Sequence, residues 1–311
     1  MALAFVFPGQ GSQVAGMGKD LHDRFPEARE VFAAADDALG EKLSRLCFEG
    51  PEAELRRTAN TQPAILAVSL AAHAVVAKRL PPPALAAGHS LGEFSALCAL
   101  GAMSLSDAVR VVRARGRLMQ EAVPAGQGAM AAVIGLPAEE VERACREAAG
   151  AEVCQPANFN EPGQTVISGH AAAVARAGER AKALGARRVL PLPVSAPFHS
   201  ALMAPVQPRL RELLSAITWR APAAPVVSNV HAEPNADPAW VTDLLVAQVT
   251  APVRWTDCVR RLRAGGAGHV VEIGPGRVLC GLVKRIERDL SCHGVEDGAS
   301  LERTLAELER A

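Results

Sequence analysis

The chain has 311 residues, 49% of them hydrophobic and 21% charged, enough to bury one large core or a large and a small one. Basic and acidic side chains balance at 33 each, which removes the electrostatic case for nucleic acid or an anionic membrane as partner. No run of 18 apolar residues occurs, so no transmembrane helix is expected, and seven cysteines without C-x-x-C spacing fit a reduced, cytoplasmic protein.

Residues 3–7 read as a buried first strand. The run Met1-Ala2-Leu3-Ala4-Phe5-Val6-Phe7 lacks the basic flank of a signal peptide. Helical patterns follow over 20–39 and 51–55. A long alanine-rich helix then starts at Thr61-Gln62-Pro63 and runs to about residue 79, with its proline near the first turn. Pro81-Pro82-Pro83 breaks the chain before the apolar stretch 84–87, which leads through a turn into a helix over 93–100. The next helix spans 106–121, with Ser106 as its expected N-cap. Strands alternating with helices predict a mostly parallel α/β sheet.

The rhythm changes after Gly126. Strands are expected at 129–134, 152–157, 164–168 and 187–193, with helices at 137–149 and 171–184. That order, β-α-β-β-α-β, is the split pattern of a ferredoxin-like module. It is expected as an insertion over 127–195 into a catalytic unit made of 1–126 and 196–311. The larger unit resumes with strands at 225–230 and 269–273, helices at 238–248 and 255–264, and an amphipathic tail helix over 300–310.

The chemistry centres on Gly88-His89-Ser90-Leu91-Gly92. A G-x-S-x-G between a strand and a helix reads as a nucleophile elbow. The glycines allow a turn that a side chain would block, and the hydroxyl sits at a helix N-terminus where developing negative charge is favoured. A glycine-flanked surface serine fits the same five residues. Of eight histidines, His199 in Pro197-Phe198-His199-Ser200 stands out, because it lies at the expected junction of the two units, where clefts form. Its imidazole suits the role of general base. His89 is too close to Ser90 in sequence to serve. No Asp or Glu is marked out as the third member of a hydrolase triad, and no HGGG stretch is present, which disfavours a plain esterase. The loop Phe7-Pro8-Gly9-Gln10-Gly11-Ser12-Gln13 follows the first strand and can bring the Gln10 amide towards the elbow. It fails as a phosphate loop, because Met17 stands where lysine belongs. No histidine or cysteine spacing supports a metal.

Seven segments together resemble the malonyl-CoA:acyl carrier protein transacylases of fatty-acid synthesis. They are residues 7–13, Gly-His-Ser-Leu-Gly-Glu at 88–93, Arg115-Gly116-Arg117-Leu118-Met119-Gln120, Asn158-Phe159-Asn160-Glu161-Pro162-Gly163-Gln164, residues 197–200, Gln248-Val249-Thr250-Ala251-Pro252-Val253 and Glu272-Ile273-Gly274-Pro275-Gly276. Each is modest alone; in this order, over nearly the whole chain, they are specific. The resemblance implies an α/β-hydrolase-like large subdomain with a ferredoxin-like insert. It implies that Ser90 is acylated and His199 is the base, with Gln10 and the Leu91 backbone N–H as oxyanion hole. A backbone carbonyl near Gln248 would orient the imidazole and explain the missing acid. Arg115 would grip the malonyl carboxylate, Phe198 would crowd a branched acyl group, and Asn160 would be a further polar contact near the histidine. The implied substrates are malonyl-CoA and the phosphopantetheine thiol of acyl carrier protein, handled by a cytoplasmic monomer with no bound cofactor or metal. The same chemistry could serve a polyketide or malonate decarboxylase system; a serine hydrolase fits less well. Basic clusters at Arg187-Arg188, Arg260-Arg261 with Arg263, and Lys284-Arg285 are expected candidates for docking an acidic carrier.

Overall fold

A computed structural model describes residues 2–124, 126–194 and 196–310. β1 (Ala2–Phe7) is followed by helices α1 (Lys19–Arg24), α2 (Pro26–Leu39), α3 (Leu43–Glu49), α4 (Glu52–Leu55) and α5 (Thr58–Val76). β2 (Leu85–Gly88) leads into α6 (Leu91–Ala99) and α7 (Leu105–Glu121). Next come β3 (Gly128–Ile134), α8 (Ala138–Ala149), β4 (Cys154–Glu161), β5 (Gln164–His170), α9 (Ala171–Ala183) and β6 (Arg188–Pro191). The chain continues with α10 (Val206–Ser215), β7 (Val226–Val227), β8 (Pro234–Asn235), α11 (Pro238–Gln248) and α12 (Trp255–Ala264). It closes with β9 (Ala267–Ile273), α13 (Val278–Ile286), β10 (Ser291–Val295) and α14 (Gly298–Leu308).

Two sheets result. The larger has the order β10-β9-β1-β2-β7-β8 and is parallel except for β8. β1 is apolar along its length because it is covered on both faces. Its alternation sends Leu3, Phe5 and Phe7 into the main core with α2, α5 and α6, and Ala4 and Val6 into a second cluster with α12 and α13. The smaller sheet, β4-β5-β3-β6, is antiparallel and carries the expected β-α-β-β-α-β order. On β3, Ala131 and Val133 pack under α8 and α9, while Met130 and Ala132 join the main core. One face of the small unit therefore makes its own core and the other docks it on the large unit.

Several expectations change. The helix at 20–39 is two, parted at Phe25, which takes an extended backbone ahead of Pro26. The α7 cap is Ser104, whose side chain accepts from the Asp107 N–H, and not Ser106. The strand expected at 225–230 is the pair Val226–Val227. Helices α3, α10 and α13 and strands β8 and β10 were not anticipated. Cys280 and Cys292 form a disulfide, against the expectation of reduced thiols throughout. α5 is long and apolar enough to pass for a membrane span, yet 78% of its most apolar stretch is buried in the protein. Met1, Ser195 and Ala311, which fall at expected boundaries, lie outside the described residues.

Candidate active site

β2 ends at Gly88 and α6 begins at Leu91, so the chain reverses within two residues. A methyl group on Gly88 would overlap the Gly92 backbone, and one on Gly92 would overlap the Phe7 carbonyl. The elbow glycines are thus required by close approach. Ser90 between them has φ 52° and ψ −103°, a conformation L-residues rarely adopt and one that must be held from outside. Asn229 supplies that hold. Its Oδ1 accepts from the Ser90 N–H at 2.7 Å and its Nδ2 donates to the Gly88 carbonyl at 2.7 Å.

Ser90 Oγ lies 2.8 Å from His199 Nε2. His199 Nδ1 lies 2.8 Å from the Gln248 carbonyl oxygen. A carbonyl only accepts, so Nδ1 carries the proton, and Nε2 is left to accept from the serine hydroxyl. His199 also has a positive φ, 56°. Its loop is tied to β4, where Gln155 donates to the Thr250 carbonyl (3.2 Å) and accepts from the Ala201 N–H (3.1 Å). The small unit thereby helps fix the His199 loop. Burial, and then the Arg115 charge, lower the His199 pKa to about 3, which keeps the ring neutral.

Arg115 on α7 is 1% exposed. It donates to Gln62 Oε1 (2.8 Å), Gln248 Oε1 (2.9 Å) and Ser90 Oγ (3.2 Å), and its guanidinium lies over the Phe94 ring. Burial lowers its pKa to about 10, so it stays charged at neutral pH. Leu91 is the first residue of α6, where a backbone N–H has no partner one turn back.

The structure thus brings Ser90, His199, Arg115 and the Gln248 carbonyl together. Other expected residues fall differently. The Gln10 amide, expected over the elbow, donates to Thr58 Oγ1 at 3.3 Å. Asn160 does not meet the catalytic-base candidate; its Oδ1 lies 2.8 Å from Nε2 of His89, whose ring packs against Trp255. The β4 backbone carries Asn160 past the elbow, on the side of the residue preceding the serine. Phe198 is buried in the main core.

Two residues beside the dyad were missed. Glu93 is 3% exposed and Asn229 is fully buried. Glu93 Oε2 accepts from the Asn229 N–H at 3.1 Å and from Gln248 Nε2 at 2.8 Å, and burial raises its pKa to about 7. The available signal was a carboxylate opening an otherwise apolar helix, where burial without partners is costly. Among the described residues, no group of His, Cys, Asp and Glu is arranged to hold a metal.

The acyl transferase domain family matches residues 4–303. The malonyl CoA-acyl carrier protein transacylase of Salmonella typhimurium is 48% identical over 305 residues, covering 98% of this chain and 99% of that protein. The transacylase of the same name from Bacillus subtilis is 46% identical over 307 residues, covering 98% and 97%. Among solved structures, an acyl carrier protein S-malonyltransferase from Vibrio cholerae superposes with a TM-score of 0.96 at 47% identity, covering 98% of this chain and 100% of its own. A malonyl-transacylase solved in complex with its type II PKS acyl-carrier protein gives 0.96 at 48% identity, covering 99% and 100%. Fold and similarity agree over nearly the whole chain, and the chain belongs to the malonyl-CoA:acyl carrier protein transacylases of the acyl transferase domain family.

Proposed function

We propose that this chain moves the malonyl group of malonyl-CoA to the phosphopantetheine thiol of acyl carrier protein by a ping-pong route through malonyl-Ser90. The observation that carries the reading is the 2.8 Å Ser90–His199 contact, with the far ring nitrogen bound to a backbone carbonyl. In the first half-reaction Ser90 Oγ attacks the thioester carbon as its proton passes to His199 Nε2. The tetrahedral oxyanion is received by the Leu91 N–H and by the second N–H of the Gln10 amide, whose first is directed to Thr58 Oγ1. The C–S bond then breaks and the same proton goes to the departing CoA sulfur. In the second half-reaction His199 takes the proton of the carrier thiol, the sulfur attacks the ester carbon of malonyl-Ser90, the C–Oγ bond breaks, and the proton returns to Ser90 Oγ. No net charge is stored, so a neutral imidazole suffices, and a backbone carbonyl can replace the acid of a hydrolase triad in fixing its tautomer.

Arg115 is the proposed partner of the malonyl carboxylate. Three of its five N–H donors are used by Gln62, Gln248 and Ser90, and a charge-assisted pair with a carboxylate is among the stronger hydrogen bonds. Phe198 and Asn160 are proposed as walls of the acyl site, with Asn160 acting beside His89. Incubation with malonyl-CoA followed by intact-mass measurement tests the first half: wild type gains one malonyl group and Ser90→Ala gains none. Adding a holo carrier should then move the label to the carrier thiol faster than to water. Preferential release to water would replace this reading with a hydrolase.

A further inference from the structure

A buried carboxylate with no cation of its own needs an explanation. Glu93 opens α6 three residues after Ser90 and sits among buried Phe94, Ser95 and Ala96. Among the described residues it makes no direct ion pair. A single oxygen, Oε2, receives both of its hydrogen bonds, one from the Asn229 backbone and one from Gln248 Nε2. Each partner continues to one member of the reacting pair. From Asn229 the path runs through its side chain to the Ser90 N–H and the Gly88 carbonyl, the two groups that bracket the strained serine. From Gln248 it runs through the backbone carbonyl to His199 Nδ1. Gln248 Nε2 also donates to the Ser90 carbonyl at 3.0 Å.

The orientation of the Gln248 amide follows from charge. Its oxygen faces the Arg115 guanidinium at 2.9 Å and its nitrogen faces the Glu93 carboxylate at 2.8 Å. A flip would set donor against cation and acceptor against anion. Cation, amide and anion therefore lock one rotamer of the residue whose main chain orients the base. Ser90 and His199 both hold positive φ, so neither keeps its place through local preference alone.

We infer that Glu93 is a positioning residue that registers the nucleophile to the base, with Asn229 as its arm to Ser90 and Gln248 as its arm to His199. The inference rests on the proposed roles of Ser90 and His199 and adds how their 2.8 Å separation is maintained.

The test compares wild type with Asn229→Ala, Glu93→Ala and Glu93→Gln, and with Glu272→Gln as control. Glu272 is a second fully buried glutamate whose carboxylate caps the Leu279 and Cys280 N–H groups at the start of α13, with no bond to the dyad. Two rates are read: malonylation of Ser90 at saturating malonyl-CoA, and phosphonylation by a fluorophosphonate, which needs the dyad but no malonyl recognition. Asn229→Ala and Glu93→Ala should each slow both rates by about 10- to 100-fold, the scale of a small misplacement of reacting groups, with KM for malonyl-CoA within about threefold. The double alanine variant should be no slower than the worse single one, as expected of groups acting as a unit. Glu93→Gln keeps the shape and an acceptor oxygen and should recover to within about fivefold of wild type. If Glu93→Ala does not fold, Asn229→Ala decides. Folded variants that keep wild-type rates, or lose no more than the Glu272→Gln control, would overturn the inference. A wild type that is phosphonylated but never malonylated overturns the transacylase reading instead, and the phosphonylation rates still judge Glu93.

Discussion

In the proposed mechanism His199 is the base, and its burial leaves the ring without a proton at rest. Burial and the Arg115 charge together lower its pKa from 6.5 to about 3. The protonated ring is therefore disfavoured in the folded enzyme across the interval between those values, and Nε2 stays an acceptor there. The rate of Ser90 malonylation should consequently show no acid limb near pH 6.5, its fall appearing only well below that. A pH series of quenched-flow malonylation checks this, and an inflection at 6.5 would mean the ring is hydrated and the buried geometry wrong. Arg115 answers to a different measurement. Burial lowers its pKa only to about 10, so its charge is present at neutral pH and available to a carboxylate. A charge-assisted hydrogen bond contributes about 1.5–3 kcal/mol, which converts to roughly a 10- to 200-fold preference for malonyl over acetyl. Arg115→Ala should lose that preference, read as the ratio of kcat/KM for the two CoA esters. A wild type using both equally would remove Arg115 from recognition.

At the level of elements, α7 carries Arg115 and so its register matters. Its N-cap is Ser104, with the hydroxyl accepting from the Asp107 N–H at 3.1 Å. Ser104→Ala should lower stability by about 1 kcal/mol, measured as a shift in the urea midpoint, whereas Ser106→Ala, inside the first turn, should shift it by a few tenths of that. The reverse result would restore the cap read from sequence. That misplacement is typical of what pattern reading can and cannot reach. α11 and α12 were legible to the residue, because Pro238 and Trp255 mark their starts and the apolar spacing continues to their ends. The elbow was legible because its glycines are forced by contact. β7, of two residues, is too short to carry a period, and β10, Ser-Cys-His-Gly-Val, is an edge strand with little apolar character. α10 carries Pro208 in its first turn and was passed over. In the site, Ser90, His199, Arg115 and Gln248 sit in recognisable segments. Glu93 and Asn229 do not announce themselves, because their roles exist only once residues 136 and 139 positions apart are folded together.

Over the whole molecule the charges cancel, so any attraction for an acidic carrier must come from where the charges sit. In two of the three basic clusters some charges are already paired, although Arg263 and Lys284 within them have no ion pair among the described residues. Arg260 lies 3.6 Å from Asp257, Arg261 pairs with Glu233, and Arg285 pairs with Glu161. Arg187 and Arg188, exposed at the start of β6, have no ion pair among the described residues. They belong to the small unit, whose β4 also holds the loop of the base through Gln155. A carrier docking there would meet free positive charge on the same unit that fixes His199. Reversing both charges, Arg187→Glu with Arg188→Glu, should therefore weaken only the half-reaction that involves the carrier. At low salt, kcat/KM for the carrier should fall about tenfold, while malonylation from malonyl-CoA stays within about twofold. The deficit should shrink as salt rises towards about 1 M, where charges are screened beyond about 3 Å. Arg260→Glu with Arg261→Glu should do less, since Arg261 is paired with Glu233 and Arg260 shares Asp257 with Arg254. If the two double variants behave alike, or if the loss at Arg187 and Arg188 is indifferent to salt, the carrier approaches from another face and the free charge on β6 is only a solvated edge.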